Sequence, residues 1–359
     1  MSLAILANEL AINNYNIFYI ALWDEKDKYD FEWLKSNSVN IVTISQNKGS
    51  LKIIIKLFKL IRINKPIFIY SAMLKSDFIS RILAFFLNTP QAASIRNNPT
   101  SYYKIFSLKY YLFFLQSYFQ KNIVFLSNKV YDDYKTSFLG KFNRSNLYTL
   151  HNPIIFDQTI SNNFLKKKFQ LLKDKASDFI KNKDVCFRLT IVSRLIEGKG
   201  IIEVLNFLGK DLHDKRFSLV IYGDGPLKGS INDFIIDNNL IHKVTLKGFC
   251  DNKIEMFENS DILIFGSESE GFGRVPFEAL SFGNMVLCNK KISIINEFGN
   301  LPILWSDYDT QLVISDHIHQ LVKLDIESSL SKLLNIFEKL SPKNSHHNFL
   351  KIMNSCIYE

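Results

Sequence analysis

Ser267-Glu268-Ser269-Glu270-Gly271-Phe272-Gly273-Arg274-Val275-Pro276-Phe277-Glu278-Ala279-Leu280-Ser281-Phe282-Gly283 follows the apolar run Ile262–Phe265 after a single residue, Gly266. A short, wholly apolar run closed by turn residues reads as a buried strand. Pro276 falls where the first turn of a helix tolerates it. Strand, glycine loop and helix in that order leave free amides at a helix N-terminus, which is a place for phosphate. Glu270 lies in the loop and Glu278 about two turns later on the helix. Carboxylates at that offset address two sets of hydroxyls on one elongated ligand, such as a sugar and a ribose. The stretch also reads as a plain glycine turn with one carboxylate favoured by the helix dipole. That reading gives no reason for Glu278 between Phe277 and Ala279 in an apolar helix.

The alternation continues on both sides. The second half adds strands at Arg188–Ser193, Ser218–Tyr222, Val244–Lys247, Met285–Cys288 and Ile303–Trp305. The first half has them at Asn16–Leu22, Val39–Ile44, Ile67–Ser71, Gln91–Ile95, Asn122–Leu126 and Leu147–Leu150. Between them, stretches such as Leu51–Arg62 and Asp77–Leu87 repeat apolar residues at helical spacing. Strand, helix, strand at this rhythm implies right-handed βαβ units and parallel sheets. The rhythm pauses at Phe156–Asp184, around Lys166, Lys167 and Lys168. A chain of 359 residues suits two domains. The expected organisation is a domain at 1–160, a linker at 161–184, a second domain at 185–340 and a C-terminal helix at 341–359. The fold class is α/β, with two Rossmann-like doubly wound domains facing a cleft. Ligands of such sheets bind beyond the carboxyl ends of the strands.

Three further strand-to-helix junctions carry unusual residues. Ser193-Arg194-Leu195-Ile196-Glu197-Gly198-Lys199-Gly200 sets a guanidinium and an ammonium around a glycine turn, a pairing suited to a diphosphate, or else a solvated loop. Tyr222-Gly223-Asp224-Gly225-Pro226 allows a sharp turn or a close approach of backbone to ligand, and is also ordinary turn chemistry. Lys247-Gly248-Phe249 closes another strand with a turn glycine.

Taken together, Glu270 and Glu278 around Gly-Phe-Gly, with the upstream SRLIEGKG, YGDGP and KGF, resemble the C-terminal domain of the retaining, GT-B-fold glycosyltransferases of the large group-1 (family 4) class. The resemblance is strong over Leu189–Glu297 and diffuse before it. It implies that Arg194 and Lys199 hold the donor diphosphate and stabilise charge on the leaving group. The amides of Gly271, Phe272 and Gly273 would lie against the sugar and the diphosphate. Glu270 would bind sugar hydroxyls and Glu278 the ribose, while Gly223, Phe249 and Cys250 would line the base. Arg274 stands where an aliphatic residue is common. The implied reaction moves a hexosyl group from a UDP-sugar with retention, by front-face attack in which the leaving phosphate helps deprotonate the acceptor. It calls for no cofactor beyond the donor substrate and no metal. Asp307-Tyr308-Asp309 reads as a surface loop.

The resemblance also implies a first strand and glycine loop ahead of Leu3, and these are missing from the sequence as written. Ser94-Ile95-Arg96-Asn97-Asn98-Pro99 resembles the family's acceptor or catalytic loop, with Arg96 in the place of a frequent histidine, or reads as a polar turn closed by Pro99. His151 reads as structural.

Charge divides unevenly: residues 1–184 carry a net +13 and residues 185–359 a net −4, giving +9 overall. The basic half therefore meets something anionic. Leu51–Arg62 forms a basic amphipathic helix, and residues 102–119 mix nine aromatics with Lys104 and Lys109. Both suit an anionic membrane surface, or else pack one face on the sheet and leave the lysines solvated. No nucleic-acid motif accompanies the charge. The four scattered cysteines exclude a disulfide framework or zinc site and fit a reducing compartment. No apolar stretch reaches spanning length. The expectation is a cytoplasmic enzyme, peripheral on the inner face of the cytoplasmic membrane, that acts on a polyprenyl-linked saccharide acceptor in O-antigen or capsule-type polysaccharide (lipopolysaccharide) synthesis. Two alternatives are a catalytically inactive remnant that binds a nucleotide sugar or a partner transferase, and a phosphorylase-like enzyme. The latter lacks a recognisable pyridoxal phosphate lysine.

Overall fold

Short β-rich runs and longer amphipathic runs alternate through the chain, and each forms the element its pattern favours. The computed structural model describes residues 2–22, 39–44, 50–97, 107–138, 140–156, 160–267, 270–289, 292, 303–306 and 314–358. Two compact units result, one from residues 1–155 with 338–359 and one from 156–337.

The first unit contains α1 (Ser2–Ile12), β1 (Ile17–Leu22), β2 (Val39–Ile44), α2 (Ser50–Asn64), β3 (Ile69–Ala72), α3 (Leu74–Phe86), β4 (Gln91–Ile95), α4 (Leu108–Tyr118), β5 (Asn122–Phe125), α5 (Asn128–Thr136) and β6 (Asn146–Thr149). Its strands are parallel and form two ladders, β1-β2 and β3-β4-β5-β6. β4 and β5 are buried throughout, so neither alternates apolar with exposed polar residues; Ala92, Ala93 and Ile95 of β4 and Ile123, Val124 and Phe125 of β5 fill the core, and the polar Gln91, Ser94 and Asn122 are buried with them. One face packs Ala92 and Val124 against Leu6 and Leu10 of α1. The other buries Phe113, Phe114 and Tyr134 from α4 and α5. Ser107 and Ser127 cap α4 and α5 by accepting from the amides of Tyr110 and Val130.

The second unit contains α6 (Asn162–Ile180), β7 (Phe187–Val192), α7 (Ile201–Leu212), β8 (Phe217–Tyr222), α8 (Lys228–Asp237), β9 (Val244–Gly248), α9 (Lys253–Phe257), β10 (Ile262–Phe265), α10 (Arg274–Ser281), β11 (Met285–Asn289), β12 (Ile303–Ser306), α11 (Ile314–Val322) and α12 (Ile326–Lys339). All six strands are parallel in the order β12-β11-β10-β7-β8-β9. Read from β9, this is the doubly wound order 3-2-1-4-5-6, whose direction of travel reverses between β7 and β10.

Two expected boundaries change. The stretch 161–184 is not a linker: its core is the helix α6, inside the second unit. Leu165, Phe169, Leu172, Ala176 and Phe179 recur at helical spacing and are buried, while the lysines that made the segment look polar lie mainly on the outer side. The C-terminal helix, α13 (Pro342–Tyr358), belongs to the first unit, where Phe349, Ile352, Met353 and Cys356 pack with α1 residues over the sheet. Asp307-Tyr308-Asp309, the aromatics at 102–106 and Pro99 lie outside the described residues.

Candidate functional site

The reversal between β7 and β10 brings the loop after Val192 beside the loop after Phe265. Gly200, left-handed at φ 64°, starts α7, and a Cβ there would lie 2.1 Å from the Gly266 carbonyl oxygen. Only glycine allows the two loops this approach. Gly273, at φ 63°, starts α10 in the same manner. Neither helix has a side-chain cap at its N-terminus. Two sets of first-turn amides therefore lack the side-chain acceptor that usually satisfies one of them, and their dipoles favour an anion.

Charged side chains from both loops meet here. The Lys199 ammonium donates to Glu270 Oε1, forming an ion pair of which each side chain is about four-fifths buried (17% and 21% exposed). The Ser267 hydroxyl also donates to Glu270 Oε1, at 3.1 Å. Gly271, Phe272 and Gly273 are buried between this pair and α10, and the Phe272 ring packs 5.8 Å from Phe277. Phe272 thus contributes its backbone to the loop and its ring to the core. Arg194 is exposed at the mouth of the β7 loop.

Glu278 is buried on α10, and two cations hold it: the Lys253 ammonium at 3.1 Å and the Arg274 guanidinium at 3.4 Å, both on Oε1. Arg274, without a family role in the sequence reading, is thus an ion-pair partner of Glu278. Sequence reasoning missed Lys253 altogether. It opens α9 after Asn252, whose side chain caps that helix, and nothing local links it to a carboxylate 25 positions later.

The β8 and β9 loops complete the edge. The β8–β9 register shifts at Tyr222, which pairs with Gly248, and the Gly223 amide donates to the Gly248 carbonyl at 2.7 Å. A Cβ on Gly223 would stand 1.8 Å from the Ser193 carbonyl oxygen, so this glycine is required where the loop presses against the end of β7. The amide of Leu195 donates to the Asp224 carbonyl at 2.9 Å, tying the two loops together. Phe249 presents an exposed ring, while Cys250 is half-buried with its thiol 3.7 Å from Glu255 Oε2. Burial, more than the nearby carboxylates, raises that thiol's pKa. The second unit therefore brings Lys199, Glu270, Gly271, Phe272, Gly273, Gly223, Phe249, Cys250 and Glu278 to the carboxyl edge of one sheet.

Arg96 belongs to the first unit. It follows β4 and lines a cavity of about 120 Å³ between β4, α3 and α4, with Met73, Asp77, Phe113 and Gln116. Asp77 is buried in the first turn of α3, and desolvation pushes its pKa up to about 7 against the opposing effects of Ser71 and Arg96. Asp77 was not singled out in the sequence, because a first-turn aspartate is ordinarily a solvated dipole partner. Among the described residues, no group of three His, Cys, Asp or Glu is placed to hold a metal ion.

The chain is similar to known proteins. Residues 173–334 match the family described as glycosyl transferases group 1. That span holds the whole strand-end constellation of the second unit. The capsular polysaccharide biosynthesis glycosyltransferase CapM of Staphylococcus aureus is 26% identical over 244 residues, 64% of this chain and 60% of that protein. A Campylobacter jejuni N-acetylgalactosamine-N,N'-diacetylbacillosaminyl-diphospho-undecaprenol 4-alpha-N-acetylgalactosaminyltransferase is 33% identical over 97 residues, 27% of this chain and 26% of that protein. The chain thus spans less than two thirds of the length of these relatives. Among solved structures, Anabaena Alr3699/HepE in complex with UDP and glucose superposes with a TM-score of 0.72 at 14% identity, covering 99% of this chain and 95% of that one. The likeness extends the shared fold to the first unit.

Proposed function

We propose that the chain is a glycosyltransferase that moves a hexosyl group from a UDP-sugar, with retention, to a lipid-linked saccharide in surface-polysaccharide synthesis. The observation that carries the proposal is the Lys199–Glu270 ion pair, seated beside two helix N-termini that no side chain caps. A diphosphate is a stronger partner for Lys199 than a single carboxylate, and the amides of α7 and α10 add to its hold. Its arrival releases Glu270 for the hydroxyls of the attached sugar. Lys199 and Arg194 then meet the negative charge that grows on the leaving UDP as the glycosidic bond breaks. The acceptor oxygen attacks from the same face, and its proton passes to the departing phosphate, so no protein nucleophile takes part. Glu278, held by Lys253 and Arg274, is positioned for the ribose, and Phe249 for the base.

Support for the donor comes from the UDP and glucose bound by HepE, a protein of the same fold. Support for the acceptor comes from the diphospho-undecaprenol named for the Campylobacter relative and the capsule synthesis named for CapM. The proposed place of action is the cytoplasmic membrane face. Among the described residues no helix is long and apolar enough to cross a membrane.

Glu270→Ala tests the site. Transfer from UDP-sugars, followed as UDP release with a lipid-linked acceptor, is expected to fall at least roughly 100-fold with the circular dichroism spectrum unchanged. Full activity in this variant sinks the assignment. A second reading, a nucleotide-sugar-binding protein without turnover, draws on the separation of the β1-β2 and β3–β6 ladders among the described residues. Calorimetry that shows UDP-sugar binding with no transfer or hydrolysis selects it.

A further inference from the structure

The cavity of about 120 Å³ between α3, α4 and β4 of the first unit is lined by none of the residues assigned to the donor. Side-chain ties hold its two helical walls together. Gln116 of α4 donates to the Leu74 carbonyl at 2.6 Å, and Gln120, just past that helix, donates to the Asp77 carbonyl at 3.2 Å. Arg81 of α3 donates in turn to the Phe119 carbonyl at 2.8 Å. Ile95, Phe113 and Ile123 share one buried cluster and give the cavity an apolar floor. Exposed Met73 and Asn97, with half-buried Arg96, stand at its open end.

Two acceptors on the lining are left over. Asp77 Oδ1 and Gln120 Oε1 are buried and make no hydrogen bond among the described residues. The Gln120 amide nitrogen is engaged by the Asp77 carbonyl, so this side chain offers the cavity only its oxygen. Buried polar atoms in folded proteins are paired in the great majority, and two unpaired oxygens on one cavity call for a bound donor.

Size and lining select that donor. An apolar cavity of about 150 Å³ holds benzene, so this one has room for about five non-hydrogen atoms. A whole hexose is too large, whereas one substituent of its ring is not. A carboxylate or phosphate would set its charge against Asp77 and the Gln120 oxygen. An ammonium would meet Arg96 and lie on hydrocarbon. Water alone would satisfy the oxygens and leave Ile95, Phe113 and Ile123 wet. An acetamido group meets every demand: its N–H suits the unpaired oxygens, its carbonyl suits the Arg96 guanidinium and its methyl suits the floor.

We propose that this cavity is a subsite for the acetamido group of an N-acetylated amino sugar, and that the acceptor saccharide carries such a group. The assignment to the acceptor rests on the glycosyltransferase reading above; the binding of acetamido sugars does not.

The test is saturation-transfer NMR of the full chain with the methyl α-glycosides of N-acetylglucosamine, glucose and rhamnose. The N-acetylated glycoside is expected to bind, with the strongest transfer at its acetyl methyl, and the other two to give little signal. Gln120→Met keeps the volume and removes the acceptor, and is expected to weaken binding roughly fivefold. Ala93 lines the cavity, and Ala93→Leu fills it; the acetyl signal is expected to vanish while the melting temperature holds or rises. Glu270→Ala is expected to bind the glycoside like the unmodified chain. Loss of binding in that variant would put the sugar in the donor site and overturn the proposal. No signal, equal signals from the three glycosides, or binding indifferent to both cavity substitutions overturns it too. Full-rate transfer to an acceptor without an acetamido group would remove the acceptor assignment and leave the glycosyltransferase reading standing.

Discussion

Asp77→Asn isolates the one buried carboxylate among the described residues of the first unit. Burial raises the Asp77 pKa from 3.8 to about 7, while Ser71 and Arg96 pull the other way without prevailing. The native state therefore binds this proton more tightly than the unfolded chain. The resulting stabilisation is fully present below about pH 4, where both states are protonated, and is lost as pH rises through about 7. The difference of about three pH units corresponds to about 4 kcal/mol, an upper figure for a group that can relax. Asparagine is close in shape to the protonated acid and does not titrate. Its variant is expected to match the unmodified chain near pH 4 and to exceed it near pH 8, by about 10 °C in the melting temperature of a unit this size. Scanning calorimetry across that pH range reads the effect. Parallel pH profiles for the two proteins would refute the argument. A variant less stable than the original near pH 8 would show instead that Arg96 keeps Asp77 ionised.

Two further substitutions probe the second unit. Gly223→Ala drives a methyl group into the Ser193 carbonyl, and is expected to destabilise by at least about 2 kcal/mol and abolish UDP-sugar binding. Gly229→Ala, in α8 with nothing within 4 Å of the new Cβ, is the control and is expected to be neutral or stabilising by up to about 1 kcal/mol. Thermal melts of the pair decide the point, and equal melting temperatures would contradict the packing. Glu278→Gln leaves Lys253 and Arg274 without their carboxylate. Calorimetry is expected to show UDP-sugar affinity reduced at least roughly tenfold, and unchanged affinity would remove Glu278 from the ribose.

All twelve strands expected from the sequence are present, with boundaries displaced by at most two residues. Their legibility has a simple cause, since strands covered on both faces are written as short apolar runs and their glycine loops are local signals. Phe156–Asp184 misled for a related reason. Its lysines dominate the composition, while Leu165, Phe169, Leu172, Ala176 and Phe179, the residues that place α6 in the core, recur at three- and four-residue intervals. The C-terminal helix was legible as a helix, but not as part of the first unit, because its docking depends on α1 some 340 residues away.

The site shows the same division. The types of residue at each strand end, and the inference that a phosphate and hydroxyls meet there, follow from local spacing in the sequence alone. Which of them touch does not. Lys199 pairs with Glu270 because the strand order makes β7 and β10 neighbours. Lys253 reaches Glu278 because α9 and α10 come together at the same edge. Gly266 matters only because Gly200 presses on it. Asp77 is unusual only because α3 turns it inward. Local backbone preference acts over a few residues and is written in the order of amino acids; burial and ion pairing depend on distances between segments that only the folded chain sets.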